Sequence, residues 1–283
     1  MKALFLAGFM GLFLLSPPSH ADGSKTIIWA ATELPGVFGL SAQQENPQLE
    51  GLVGAVQNYL LDGLPDDFSL QPVSMLIPRI EREMQSGDNV CTGILLRTAE
   101  RERYLNFSRP YMVIPTPQVA MTANGWETLG RPQQIELSEL LNHPELRGMR
   151  VNHRSYGGFI DQQLDAATNL NMTVTGSTNA MRMLAGGRAD FLIEYPVVIA
   201  QLLADRADQL HFVTISGTAP FLNLAISCSQ SELGSAFIAA VDARLPSLVQ
   251  DPVYLQLNLE LAPRQLRAEL SEVYHRQVMS AEP

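Results

Sequence analysis

Lysine is almost missing from this chain: Lys2 and Lys25 are the two present, and arginine supplies the other 17 of its 19 basic residues. Against 29 acidic residues they leave a formal charge of -10. A chain with that balance offers no basic face to phosphates, which excludes nucleic acid as a partner. Cysteine is equally scarce, with Cys91 and Cys228 alone, and the 5 histidines are dispersed as His20, His143, His153, His211 and His275. Nothing there has the spacing of a metal site, and no nucleophile-base pattern stands out, so neither metal nor cofactor is expected. Long apolar runs are lacking too. The longest, Ala3 to Leu15, falls short of the ~20 residues that span a bilayer.

That short run has another meaning. Met1-Lys2 gives it a positive start, and Ser19-His20-Ala21 places small residues where a signal peptidase accepts them. Residues 1–21 are therefore read as a secretory signal cleaved after Ala21, and the mature chain as a soluble periplasmic protein. In that oxidising compartment the isolated pair Cys91 and Cys228 is expected to form a disulfide, worth about 4 to 5 kcal/mol for so long a loop. What remains after the leader is enough for one large domain or two medium ones with proper cores.

Strand-like and helix-like runs alternate along it. Lys25 to Ala31 reads as a strand, Gly51 to Leu61 as a helix ended by Pro65-Asp66-Asp67, and Phe68 to Val73 as a strand. Pro78 to Gln85 reads as a helix with proline in its first turn, Val90 to Leu95 as a strand, and Thr98 to Tyr104 as a short helix or helical turn. A second block of the same style runs from Ser138 to Ile215. Leu222 to Ser227 adds a strand, and two helices, Glu232 to Leu245 and Val253 to Leu261, close the chain. This order implies an α/β protein of two lobes, each a mostly parallel sheet flanked by helices, with a ligand site in the cleft between them.

The run GDNVCTGILLRTAERERYLNFSRPY, residues 87–111, carries more specific information. With Thr98, Arg101, Phe107, Ser108, Pro110 and Tyr111 it resembles the T-x-x-R-x-x-x-x-x-F-S-x-P-Y string of periplasmic solute-binding proteins of the polar-amino-acid type, family 3, which serve ABC importers. LRGMRVNHRSYGGFIDQQL and NAMRMLAGGRADFLIEYPVV look like that family's second-lobe elements. The resemblance implies a type II two-lobed periplasmic binding protein fold with two hinge crossings, near Gln118 to Ala123 and Leu222 to Ser227. Lobe one would hold residues 22–119 and 223–283, lobe two residues 120–222, and both cysteines would fall in lobe one.

The resemblance also implies that Arg101 grips a ligand carboxylate. Arginine suits this because its planar fork makes two parallel bonds and keeps its charge when desolvated. Arg97, Arg103 and Arg109 are read as solvated charges. Thr98 shares the face of Arg101, and Leu96 stands where relatives often show serine, suggesting a more apolar contact. Trp29 and Glu33 lie at the end of the first strand and in the loop after it. Trp29 either lines the cleft or packs in the core, and Glu33 either meets an amine or is a loop charge. From the other lobe Ser155, Tyr156 and Gly157 are expected to meet the ligand at a helix start. Glu194 and Tyr195 depart from the family, which commonly places an aspartate near Tyr195 for the α-amino group; Ala30 or Ala31 likewise replaces an aspartate near the first strand. A carboxylate-bearing solute, amino-acid-like but not a standard amino acid, fits this pattern.

The leading expectation is a monomeric, non-catalytic receptor that delivers a small molecule to an inner-membrane permease. Two alternatives stay open: an enzyme on the same scaffold resembling cyclohexadienyl dehydratase, with Glu33 or Glu194 as general acid, and a sensing subunit for a membrane sensor.

Overall fold

In the computed structural model, residues 25–42, 47–152, 154–202 and 210–278 are described. The leader, its cleavage point and His153 lie outside them. Lobe one opens with β1 (Thr26–Ala31), β2 (Gly39–Leu40), β3 (Leu49–Glu50), α1 (Gly51–Leu61), β4 (Ser69–Ser74), α2 (Ile77–Gln85), β5 (Val90–Thr92) and β6 (Leu105–Pro115). Lobe two holds β7 (Gln118–Thr122), α3 (Ala123–Thr128), β8 (Gln134–Ile135), α4 (Leu137–Leu141), β9 (Gly148–Val151), α5 (Gly158–Asp165), β10 (Leu170–Val174), α6 (Ser177–Ala185), β11 (Phe191–Glu194), α7 (Pro196–Leu202) and β12 (Leu210–Ile215). The chain then returns to lobe one through β13 (Phe221–Ser229), α8 (Glu232–Leu248), α9 (Pro252–Leu259) and α10 (Arg267–Gln277).

The two large sheets have strand orders β4-β1-β5-β13-β6 and β10-β9-β11-β7-β12-β8, and β2 and β3 form a small antiparallel pair. Both large sheets are mostly parallel, as expected, each with one strand that runs against the rest. In the first, β1 is parallel to β4 and β5, but β13 is antiparallel to β5 and β6. The reason is topological: β13 re-enters from the other lobe and so runs against its neighbours. In the second sheet β7, the entering strand, is antiparallel to β11 and β12 for the same reason.

Residues Phe107 to Tyr111 sit inside the eleven-residue strand β6. Pro110 and Pro115 make that run look unlike a strand, yet β6 is at the sheet edge, where proline is tolerated. The crossings themselves lie at Thr116-Pro117 and between Ser216 and Pro220, outside β6, β7, β12 and β13. Thus Gln118 to Ala123 is largely β7, Leu222 to Ser227 lies within β13, and the lobe boundaries at 119/120 and 222/223 fall inside those strands. The two crossings are tied together: Thr116 N donates to the Pro220 carbonyl at 3.0 Å, and Thr116 Oγ1 donates to the Ala219 carbonyl.

Helix α8 continues through Pro246, past the end expected at Leu245. A proline there cannot donate to the carbonyl four residues back, that of Asp242. Arg109 supplies the missing donor through Nη2, and its backbone N–H bonds the Asp242 carboxylate at 2.7 Å. A charge read as solvated therefore repairs a helix. Helix α10, not anticipated, buries Leu270, Val273 and Tyr274.

Cys91 and Cys228 face each other on β5 and β13, where they are register partners, and are disulfide-bonded within lobe one. Beside them a buried polar chain runs through the core. Trp29 Nε1 donates to Gln57 Oε1 at 3.1 Å, Gln57 Nε2 to Tyr111 Oη at 2.9 Å, and Tyr111 Oη to the Gly93 carbonyl at 2.7 Å.

Burial, before any other cause, raises the phenol pKa of Tyr111, Tyr156, Tyr195, Tyr254 and Tyr274 above the ordinary value. A group with its folded pKa raised contributes stability that is present below its unfolded pKa, ~10 for tyrosine, and lost as pH rises through the folded value. Ultraviolet absorbance titration is expected to show these five ionising together, only as the protein unfolds in alkali. Stepwise ionisation with the fold intact would contradict it.

Candidate functional site

The lobes meet around a cleft with two compartments that share Ile77, Arg101, Arg154 and Ser155. The inner chamber, about 80 Å³, is apolar, walled by Leu34, Val37, Phe38, Ile94, Leu96 and Met112 from lobe one and by Tyr195, Val197 and Val198 from lobe two. The outer compartment, about 600 Å³, is mixed in character and includes Glu81, Thr98, Arg150 and Asp161. The approach is close: a Cβ placed on Gly157 would lie 3.8 Å from Leu96 Cδ1 across the cleft.

Arg101 enters from a single 3-10 turn, Arg101–Arg103, between β5 and β6. Thr98 Oγ1 accepts the backbone N–H of Arg101 at 3.2 Å, so this hydroxyl starts the turn; Thr98 borders the outer compartment and not the inner one. The Arg101 side chain is 10% exposed. Its Nε bonds Glu81 Oε1 at 2.9 Å, and Nη1 donates to the Leu96 carbonyl at 2.9 Å. A guanidinium has five N–H donors, so three remain beyond these two bonds. The neighbouring arginines point to other tasks. Arg103 is 75% exposed, Arg97 donates to the Ser108 carbonyl at 2.8 Å, and Arg109 serves α8.

The facing wall is one network centred on Glu194, which is fully buried. Its Oε1 accepts from Arg154 Nη2 at 2.9 Å, Arg154 Nε at 3.3 Å and the Tyr195 N–H at 2.8 Å, while Oε2 accepts from Ser177 Oγ at 2.5 Å. Burial works against the charge on Arg154, but Glu194 and the flanking rings outweigh it and leave its pKa raised. The Arg154 guanidinium lies 4.9 Å from the centre of the Tyr195 ring, a cation-π contact. Tyr195 Oη in turn donates to the Ser155 carbonyl at 3.0 Å.

The glycine-led start of α5 was expected to receive an anion from the ligand. The chain supplies one itself. Asp161 accepts from Ser155 Oγ at 2.6 Å and from the Tyr156 N–H at 2.8 Å, which caps the turn. Gly157, with φ +97°, allows that turn where a side chain would be strained. Tyr156 lies beneath, 2% exposed, its ring 5.9 Å from that of Tyr195, and its hydroxyl has no hydrogen-bond partner among the described residues.

Of the expected contacts, Arg101, Leu96, Ser155 and Tyr195 line the inner chamber together. Trp29 does not: it is fully buried in the core, edge-on to Phe237 at 5.9 Å. Glu33 is exposed, and its carboxylate turns back to accept the Leu40 N–H at 3.3 Å, closing the loop before β2. Glu194 stands behind Arg154 rather than open to an amine. Sequence reading missed Arg154, Glu81 and Asp161. For Arg154 the signal was present, an arginine immediately before Ser155-Tyr156-Gly157-Gly158, with the same argument for a desolvated cation that selected Arg101.

No protein-family model and no curated protein matches this sequence. The likeness to solved structures is in the backbone, and it identifies the two-lobed fold of periplasmic binding proteins. One such structure is the amino acid ABC transporter substrate-binding protein AbpA of Streptococcus pneumoniae, bound to L-arginine, at 14% identity and TM-score 0.59 over 90% of this chain and 97% of that one. A histidine kinase sensor domain similar to periplasmic binding proteins shares 14% identity, TM-score 0.64, over 85% and 97%. An ancestral amino acid-binding protein, a precursor of cyclohexadienyl dehydratase, shares 18% identity, TM-score 0.60, over 82% and 93%.

Proposed function

We propose that this chain is a periplasmic receptor that closes its two lobes on a small carboxylate-bearing solute and delivers it to an inner-membrane permease. The observation carrying this reading is that Arg101 from lobe one and Arg154 from lobe two border the same chamber. A ligand that bonds both guanidinium groups contacts both lobes, and only such differential contact shifts an open-closed equilibrium. The paired crossings at Thr116 and Pro220 are the hinge on which closure turns. The leader-like residues 1–21 and the substrate-binding proteins among the structural relatives support the periplasmic and transport parts of the reading.

The two acids considered for catalysis are otherwise engaged, Glu33 outside the chamber and Glu194 in its ion pair. That favours binding over dehydration chemistry.

The test is a thermal-shift screen of amino acids, opines, small peptides and aromatic acids, in which a true ligand raises the melting point as RT ln(1 + [L]/Kd). Arg101→Ala is expected to weaken the ligand found by about 2 kcal/mol, roughly thirtyfold in Kd, with the fold retained. Undiminished binding by calorimetry would remove Arg101 from the site.

A further inference from the structure

The inner chamber carries two guanidinium groups and no carboxylate among its described lining residues. Three acids near it already accept hydrogen bonds from the chain itself. Glu81 accepts from Arg101, Asp161 from Ser155 and Tyr156, and Glu194 from Arg154, Ser177 and the Tyr195 N–H. The rest of the wall, apart from Thr32 and Ser155, is aliphatic and aromatic, with Leu34, Phe38, Ile94, Met112 and Val197 prominent. A solute held by Arg101 and Arg154 therefore has its neighbouring carbons among apolar side chains. An α-amino acid would bring an ammonium group into that space with no anion to receive it, and a desolvated, unpaired charge is strongly disfavoured.

We infer that the solute is a monocarboxylate with a branched aliphatic or aryl tail and no ammonium group, its carboxylate between Arg101 and Arg154 and its tail in the inner chamber. This rests on the reading of the cleft as a carboxylate-binding site. The chamber's volume of about 80 Å³ exceeds several-fold the space one water molecule needs, which suits a short tail.

Two matched pairs test it by isothermal titration calorimetry on the purified protein: isocaproate against L-leucine, and hydrocinnamate against L-phenylalanine. Within each pair the compounds differ only in the α-amino group. The expected result is that the acid without the amine binds at least about tenfold tighter in one or both pairs. L-leucine and L-phenylalanine binding as tightly as their partners, or more so, would overturn the inference while leaving carboxylate binding in the cleft intact. So would binding of L-arginine or L-glutamine when neither pair binds. If none of these carboxylates binds, the inference fails together with the proposed function.

Discussion

Replacing Cys91 and Cys228 together by alanine is expected to lower the unfolding free energy by about 4 to 5 kcal/mol. The two residues are 137 positions apart, and the loop they close contains all of lobe two. In the unfolded chain the disulfide removes the many conformations in which that long loop is open, and its loss restores them. For a protein of this size each kcal/mol moves the melting point by about 2 to 4 °C, so a fall on the order of 10 to 20 °C is expected in calorimetry. Ligand affinity should change little, because both cysteines lie within lobe one, on adjacent strands, and the bond does not span the cleft. A double variant within about 1 kcal/mol of wild type in denaturant titrations would show that the unfolded chain is already compact around this pair.

Glu194→Ala carries the second large effect. It leaves the Arg154 guanidinium buried without its anion and strips the acceptor from Ser177 Oγ and the Tyr195 N–H. Breaking a buried ion pair from one side costs about 3 to 5 kcal/mol. Removing both charges in Arg154→Met with Glu194→Leu is expected to recover much of that stability while still impairing the cleft, since the guanidinium is gone. Denaturant unfolding separates the two cases. Equal destabilisation in the single and double variants would mean that the charge left behind is not the source of the cost.

Local order was readable from local residues. Helix α1 was assigned Gly51 to Leu61 because Val53, Val56 and Leu60 repeat at helical spacing and turn residues follow, and the helix has those ends. Arg101 could be singled out because its turn follows a strand and its string resembles a known one. The misreadings share a cause. Trp29 was ambiguous because a ring near a strand end serves a core or a cleft equally well, and Gln57 and Phe237, which claim it, are distant in sequence. Glu194 was placed among the candidate ligand contacts because Arg154, which claims it, lies 40 residues earlier. Strand β6 was hidden by prolines that only its edge position makes acceptable.

The sequence by itself determined those strands and helices that local periodicity marks, the pairing of the only two cysteines, and the excess of acidic over basic residues. Tertiary structure decided which charges are already committed to one another: Arg101 with Glu81, Arg154 with Glu194, Arg109 with α8. The physical reason is range. Helix and strand signals act between residues a few positions apart, whereas these ion pairs and hydrogen bonds need polar atoms within about 3 to 4 Å of each other, brought there by segments 20 to 133 residues apart.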